Sequence, residues 1–268
     1  SSDKHSLVPN LYRTEEKYFS NISDPKNISR IEGNIDFTFS RKSSMFFSSK
    51  QIENNLWNRY FLKQHYGVKT RLLDWTESAL IALFFAVKEH KSLENGKVWI
   101  LSPIKLNNYS VSKLINTDKN FDIIPGATKM DKGPLLNEKD ELRVPAMLTK
   151  YYKMQYDVDE KLYPLAIYPT HLDERMAAQQ ACFTIFGNVV NGLENHDSEK
   201  KFVESICIHK NYKKDILRQL KQLGISYYTI YPDLDGLGKE INFAHSGEVF
   251  DLTFDNDWGN DLMDFQSE

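Results

Sequence analysis

Residues 79–87 have the sequence ALIALFFAV, and the polar segment QHYGVKTRLLDWT occupies residues 64–76 just before them. An uninterrupted apolar run of this length predicts a helix that is buried on all sides. Asp74, with Glu77 three residues later, has the spacing of an acidic capping box. We therefore expect a central buried helix over about residues 76–90, with Asp74 as its N-cap.

The other hydrophobic patterns predict helices and strands that do not alternate regularly. Strands are expected over residues 96–102, 162–168, 181–186, 205–209 and 227–231, and helices over residues 52–65, 173–180, 213–223 and 233–241. Residues 14–60 and 105–160 are mostly polar or weakly patterned, which is typical of loops with short helices. This mixture favours an α+β fold in which a small mixed or split sheet packs with helices.

The composition excludes several classes of protein and of binding site. The 268 residues include 34 Lys and Arg and 37 Asp and Glu, so the net charge of 34 − 37 = −3 gives no electrostatic basis for tight nonspecific DNA binding. Two cysteines, Cys182 and Cys207, are too few for a disulfide framework or a four-cysteine zinc site. No apolar run approaches the roughly 20 residues that a bilayer requires. We expect a cytoplasmic protein that does not bind membranes, with one domain over residues 1–250 and an acidic tail over residues 251–268.

The polar segment 64–76 lies between apolar helices, so its side chains must satisfy one another or bind a ligand. Its candidate cofactor-binding residues are Gln64, Tyr66, Thr70, Asp74 and Trp75, and its candidate catalytic residues are His65 and Arg71. Arg71 has planar donors that can bind a phosphate with two hydrogen bonds. Tyr66 or Trp75 offers an aromatic ring on which a nucleotide base can stack. The alternative is a polar network that fixes two helices, with Asp74 as cap, Arg71 as its partner and Trp75 in the core.

A second cluster of candidate residues begins at Arg175. Arg175 and Gln179 are four residues apart, so they share one helix face and can point into one cleft. We assign Arg175 to cofactor binding and Gln179 to catalysis, with surface exposure as the alternative for Arg175. Cys182 is flanked by Ala181 and Phe183, a setting typical of an inert core thiol.

Residues 150–156, KYYKMQY, interleave basic and aromatic side chains, as surfaces for single-stranded nucleic acid do. An ordinary loop fits this pattern as well. The chain has no P-loop, no dinucleotide-binding glycine motif, no nucleophile elbow and no zinc-protease motif. The sequence therefore predicts no metal site and none of these well-understood chemistries.

The motif Gln64-His65-Tyr66-Gly67, with Thr70-Arg71-Leu72-Leu73-Asp74-Trp75-Thr76, resembles the core of the FRG-domain family. Residues 7–13, LVPNLYR, resemble the family's Leu-x-Pro-Ser-Leu-x-Arg element. Similarity continues in residues 82–87, 98–99, 175–183 and 231–237. The family places its Phe-Arg-Gly or Tyr-Arg-Gly triplet just upstream of the Leu-x-Pro element, so we expect that triplet to precede Ser1.

The FRG-domain family is largely uncharacterised and occurs in bacteria and phages, often in suspected defence or toxin systems. Its aromatic-Arg-Gly triplet is similar to the first motif of arginine-type ADP-ribosyltransferases. The resemblance therefore implies an enzyme that uses NAD to modify a protein or nucleic acid, acts as a toxin or anti-phage effector, and has an inhibitor or antitoxin as partner. Arg71 would hold a phosphate, and Gln64 and His65 would contact ribose or nicotinamide. Gln179, or a nearby carboxylate such as Glu174, would orient the 2′-hydroxyl of the ribose. The alternative is a non-catalytic or nucleolytic nucleic-acid-binding module of a defence system.

Overall fold

Helices surround two small antiparallel sheets in the computed structural model, which describes residues 6–13, 25–127, 136–153, 160–193 and 202–245. The helices are α1 (Pro25–Lys50), α2 (Leu56–His65), α3 (Ala79–Val87), α4 (Pro103–Ile115), α5 (Val144–Lys153), α6 (Glu174–Ala178), α7 (Lys213–Gln222), α8 (Tyr227–Ile230) and α9 (Leu234–Ala244). The strands are β1 (Leu72–Thr76), β2 (Gly96–Leu101), β3 (Leu165–Ile167), β4 (Ala181–Ile185) and β5 (Val203–Ile208). The predicted α+β class is confirmed. None of the described helices is long and apolar enough to cross a membrane.

The five strands form two separate sheets. The larger sheet has the order β1-β4-β3, and both of its strand pairs are antiparallel. Its β1–β4 pair runs from Leu72 opposite Ile185 to Thr76 opposite Ala181. The smaller sheet pairs β2 with β5. Because α3 connects β1 to β2 along the chain, it links the two sheets.

The central apolar helix α3 begins later than the capping pattern predicts. Ser78 is its N-cap, and the Ser78 side chain accepts a hydrogen bond from the backbone N–H of Ile81 at 3.4 Å. Asp74 lies instead in β1, which pairs with β4. The prediction of a helix over residues 76–90 capped by Asp74 is therefore wrong at its start, because pairing with β4 satisfies the backbone groups of residues 72–76.

Three clusters of buried apolar side chains hold these elements together. The first joins α2 and α5 to the three-stranded sheet, and the fully buried Trp57, Phe61 and Tyr151 belong to it. The second packs residues 7–12 against α1, α4 and the end of β4. The third packs α3 against α7 and α8. Since α3 belongs to the third cluster and β1 contributes to the first two, the space between them adjoins all three clusters.

Some predicted elements are confirmed, and others are wrong. Strands β2, β4 and β5 and helices α6, α7 and α9 lie within two or three residues of their predicted positions. Residues 227–230 form a helix rather than a strand, because Ser226 and Thr229 make a reciprocal capping box. Residues 25–50 form one continuous helix rather than short ones. The short helices α4 and α5 agree with the prediction of loops with short helices over residues 105–160. The predicted acidic tail, residues 251–268, lies outside the described residues.

Candidate functional site

A cavity of about 770 Å³ lies between the two sheets, with α3 as one wall. This volume is within the range of about 300–1,000 Å³ that is usual for small-molecule sites. The charged side chains of its lining are Arg13, His65, Asp74, Lys88, Glu89, Glu94, Lys97, Arg175 and Lys213, and the aromatic ones are Trp75, Phe85, Trp99 and Phe183. The lining thus combines flat apolar surfaces with charges of both signs.

Six of the nine predicted site residues line this cavity: Gln64, His65, Asp74, Trp75, Arg175 and Gln179. They come from the end of α2, from β1 and from the short helix α6. The antiparallel pairing of β1 with β4 brings them together, since β4 directly follows α6 and the turn at Gln179 and Gln180. The sequence interval between the two clusters is large, yet the fold places them on one surface.

Asp74 is held in place by Gln64. The Gln64 Nε2 amide donates to Oδ2 of Asp74 at 2.8 Å, and the Gln64 Oε1 atom accepts from the Thr70 hydroxyl at 2.5 Å. Both halves of the amide are therefore engaged, which fixes its orientation. Thr70 itself is buried, so it acts by positioning Gln64 rather than by touching a ligand.

The Asp74 carboxyl is accessible to solvent from the cavity while protein surrounds it on its other sides. Desolvation raises its pKa above the ordinary value, although the hydrogen bond from Gln64 and the nearby charges of Arg175 and His65 act in the opposite direction. An accessible carboxyl with a raised pKa in a cleft is a frequent property of functional sites.

His65 is fixed by a second carboxylate. Its Nε2 atom lies 2.9 Å from Oδ2 of Asp173, and the other oxygen of Asp173 caps α6 by accepting the N–H of Met176 at 2.8 Å. Burial alone would raise the pKa of Asp173, but the hydrogen bonds from His65 and Met176 outweigh it and lower that pKa. The pKa values of the two carboxyls are thus shifted in opposite directions, upward for Asp74 and downward for Asp173.

Arg175 lies in α6 and Gln179 is the C-cap of that helix, and both line the cavity. The Arg175 guanidinium stacks on the ring of Tyr231, with 4.7 Å between its central carbon and the ring centroid. Gln179 donates from Nε2 to the backbone carbonyl of Ile230 at 3.3 Å. Both contacts attach α6 to the segment that follows α8.

Arg71 lies in the interior, and no part of its side chain is exposed. Its Nε donates to Glu32 at 2.9 Å, and its terminal nitrogens donate to the backbone carbonyls of Phe186 at 2.6 Å and Tyr151 at 2.8 Å. The alternative in which Arg71 is the partner of Asp74 is wrong in that detail, because the i, i+3 pairing rule applies to helices and Asp74 is in a strand. With its donors engaged inside the protein, Arg71 offers none to a phosphate in the cavity.

The two predicted stacking rings have different positions. Trp75 lines the cavity, and its indole Nε1 donates to the Thr184 hydroxyl at 3.1 Å. Tyr66 is exposed and does not belong to the described lining. The centroids of its ring and of the His65 ring are 4.8 Å apart, and the two rings are nearly perpendicular. Of the two rings, Trp75 is therefore the one available to a ligand in the cavity.

Cys182 lies in β4 opposite Trp75. Burial, with a smaller contribution from Glu77, raises the pKa of its thiol to about 12. The thiol is therefore protonated at neutral pH, as the prediction of an inert cysteine requires.

The basic and aromatic run at residues 150–156 does not form a stacking surface in its described part. Tyr151 is fully buried, Tyr152 packs against the first cluster, and Lys150 pairs with Glu160 at 2.5 Å. The residues to 153 belong to α5, and residues 154–156 lie outside the described residues. The described part of this run therefore gives no support to the prediction of a nucleic-acid platform.

Several lining residues were missed by sequence reasoning. Lys88 is the first polar residue after the apolar run, and Lys97 and Trp99 come from the predicted strand β2. Their patterns are those of an ordinary helix end and strand. These side chains line the same cavity because α3 lies between the two sheets.

Comparison with known families supports part of the resemblance. The sequence model of the FRG domain family matches residues 1–95. That range includes the polar segment 64–76 and the Leu-x-Pro element at residues 7–13, so the FRG-domain assignment is confirmed there. No curated protein matches the chain. No solved structure matches it either.

The FRG-domain match covers α2 and β1, which supply Gln64, His65 and Asp74, and α3, which forms one wall of the cavity. Arg175 and Gln179 come from beyond it, so the cavity is built jointly by the matched residues and by the rest of the chain. Among the described residues, no group of three or more His, Cys, Asp or Glu is arranged to hold a metal ion.

Proposed function

We propose that this protein uses NAD to transfer ADP-ribose to a macromolecule, either a protein or a nucleic acid. The observation that carries the proposal is the Asp74 carboxyl, which Gln64 presents to a cavity lined by aromatic and cationic side chains. A carboxylate in such a place suits a substrate that becomes positively charged during the reaction.

The cavity has the size and lining for a dinucleotide. Trp75, Phe85 and Trp99 offer apolar surfaces for planar rings, and the lysine and arginine side chains of the lining offer donors to phosphates. Gln64 and Gln179 add amides of the kind that bind ribose hydroxyls. The combination favours a phosphorylated ligand with aromatic bases over a purely apolar one.

The proposed reaction breaks the bond between nicotinamide and ribose, and the bonding electron pair leaves with nicotinamide. Positive charge then develops on the ribose, where the ionised Asp74 carboxylate would stabilise it. A nucleophile of the acceptor forms the new bond to the ribose and loses a proton. His65 is placed to accept that proton on Nδ1, because Asp173 holds the other ring nitrogen, Nε2, at 2.9 Å.

The resemblance to FRG-domain proteins extends the proposal to the biological setting. The protein would act in the cytoplasm, where NAD is available, as a toxin or an effector of defence against phages. Such an enzyme would need restraint in the cell that makes it, so an inhibitor or antitoxin is its expected partner.

The test is incubation of the 268-residue chain with cell extract and NAD labelled on the adenylate phosphate. We expect label in a macromolecular fraction and release of nicotinamide. Asp74→Asn preserves the acceptor for Gln64 but removes the charge, and it should lower the rate by about 100-fold or more. Asp215→Asn is the matched control, since Asp215 is an exposed carboxylate of α7 that pairs with Arg218.

Two outcomes would contradict the proposal. One is the absence of both labelling and nicotinamide release at millimolar NAD. The other is an Asp74→Asn variant that is as active as the Asp215→Asn control, because the carboxylate would then have no part in the reaction.

A further inference from the structure

Three cationic side chains surround the ring of Tyr231. The Arg175 guanidinium carbon is 4.7 Å from the ring centroid, and the Nζ atoms of Lys239 and Lys88 are 5.5 Å and 5.9 Å from it. Lys88 Nζ also lies 3.3 Å from the Tyr231 hydroxyl. An aromatic ring attracts cations but carries no net negative charge. Tyr231 itself therefore does not balance the three positive charges.

The three cations differ in their partners. Lys239 pairs with Asp235 at 2.6 Å and is thereby neutralised. Lys88 donates to the Tyr231 hydroxyl, and within the described residues neither Lys88 nor Arg175 has a carboxylate within ion-pair distance. The Arg175 Nε atom is buried and has no hydrogen-bond partner there. Both side chains line the cavity, so they face the space that a ligand would occupy.

The chain holds Tyr231 firmly in this position. A Cβ atom at Gly236 would lie 1.9 Å from the Tyr231 carbonyl oxygen, so only glycine allows α9 to pack this closely on Tyr231. Asp233 caps α9 by accepting the N–H of Gly236 at 2.7 Å. The segment Tyr231-Pro232-Asp233-Leu234-Asp235-Gly236 thus forms a rigid support, which gives a physical role to the last of the elements in which the sequence resembles its family.

We propose that Arg175 and Lys88, supported by Tyr231, form a binding site for a phosphoryl group. A phosphate in the cavity would give Arg175 and Lys88 the anionic partner that neither side chain has among the described residues. Because the electrostatic influence of Arg175 reaches Asp74, this site adjoins the carboxylate to which the ribose is assigned. The inference rests on the proposed function in assigning the phosphoryl group to the pyrophosphate of NAD; a free nucleotide diphosphate has the same chemistry.

Calorimetric titration of the 268-residue chain with ADP, adenosine and inorganic pyrophosphate separates the phosphoryl contribution from that of the base. We expect ADP to bind at least about tenfold more tightly than adenosine and pyrophosphate to compete with ADP. Equal affinities for ADP and adenosine would overturn the proposal.

Substitutions of Lys88 and Arg175 test whether these two residues cause the preference for ADP over adenosine. Lys88→Gln and Arg175→Gln should each weaken ADP binding by about tenfold to a hundredfold, with adenosine binding unchanged. Lys105→Gln and Arg30→Gln are the matched controls, since both residues are exposed on other helices and outside the described cavity lining. The melting temperature of each unliganded variant establishes that it is folded, and Arg175→Lys, which keeps the charge but loses the planar donors, should weaken binding less than Arg175→Gln.

Tyr231→Phe keeps the ring and Tyr231→Leu removes it. If the ring supports the cations, the phenylalanine variant retains most of the ADP affinity and the leucine variant loses it. Loss of ADP binding in Lys88→Gln without any labelling by the parent chain would refute ADP-ribosyl transfer and leave the phosphoryl site standing. Labelling that persists undiminished in Lys88→Gln and Arg175→Gln would refute the site and leave the transfer proposal standing.

Discussion

Individual residues of the polar segment 64–76 divide between two roles that their sequence does not distinguish. Gln64, His65 and Asp74 reach the cavity, whereas Arg71 is enclosed with Glu32. Glu32 also accepts a hydrogen bond from the Tyr60 hydroxyl at 2.6 Å, so the buried carboxylate has two donors. Through these bonds Arg71 joins α1 and α2 to the ends of β4 and α5, which is the structural alternative that the sequence left open.

Arg71→Ala is therefore expected to destabilise the fold. Removing one partner of a buried ion pair leaves the other charge uncompensated, and the free energy of unfolding should fall by about 3–5 kcal/mol. Urea denaturation followed by circular dichroism measures this change, with the exposed Arg30→Ala as control. An Arg71→Ala chain with unaltered stability that had lost only NAD binding would show instead that Arg71 contacts the ligand.

At the scale of elements, amphipathic spacing was sufficient to predict a helix where local signals and tertiary packing agree. Helix α7 has its apolar stripe on Leu217 and Leu220 and ends at Gln222, and Gly224 just beyond its C-cap adopts the left-handed φ of +80°. Helix α8 was mistaken for a strand, because its aromatic residues have strand propensity and the capping box that begins it is only one turn long. Both elements are short, so one cap decided the structure in each case.

The site was less predictable than the fold for a related reason. Asp74 and Ser78 both have side chains that cap helices, and only the long-range pairing of β1 with β4 decides between them. Lys88 and Tyr231 are 143 residues apart in the sequence, so no local pattern predicts their contact. Sequence patterns thus located six of the residues that line the cavity, and tertiary packing brought the cations around Tyr231 together.

Helix α9 offers a matched pair of glycines for testing the support of Tyr231. Gly236→Ala should destabilise the protein by about 1–3 kcal/mol, because the added Cβ collides with the Tyr231 backbone. Gly238→Ala meets no atom within 4 Å and should stabilise α9 by about 0.5–1 kcal/mol through helix propensity. Thermal and urea unfolding of both variants measure the difference, and ADP binding should weaken only in Gly236→Ala. Equal effects of the two substitutions would show that the close approach to Tyr231 is unimportant.

At the scale of the whole molecule, the cavity differs in charge from the chain that forms it. The chain carries a net charge of −3. The described lining contains five lysine or arginine residues and three aspartate or glutamate residues, so its balance is 5 − 3 = +2. A positive cavity in a negative protein concentrates anions at one place and repels them elsewhere on the surface. Selection of an anionic ligand is thus a property of the assembled fold rather than of its composition.

This charge separation predicts that salt weakens the binding of ADP but not of adenosine. The screening length falls from about 10 Å at 0.1 M salt to about 3 Å at 1 M, so the attraction of the cavity for phosphate diminishes while stacking and apolar contacts persist. Calorimetric titrations at several sodium chloride concentrations should show an affinity for ADP that declines steadily, and a shallower decline in Lys88→Gln, which has one charge fewer. Parallel losses for ADP and adenosine would mean that salt acts on the apolar contacts, and an ADP affinity independent of salt would mean that the cations around Tyr231 do not bind the phosphates.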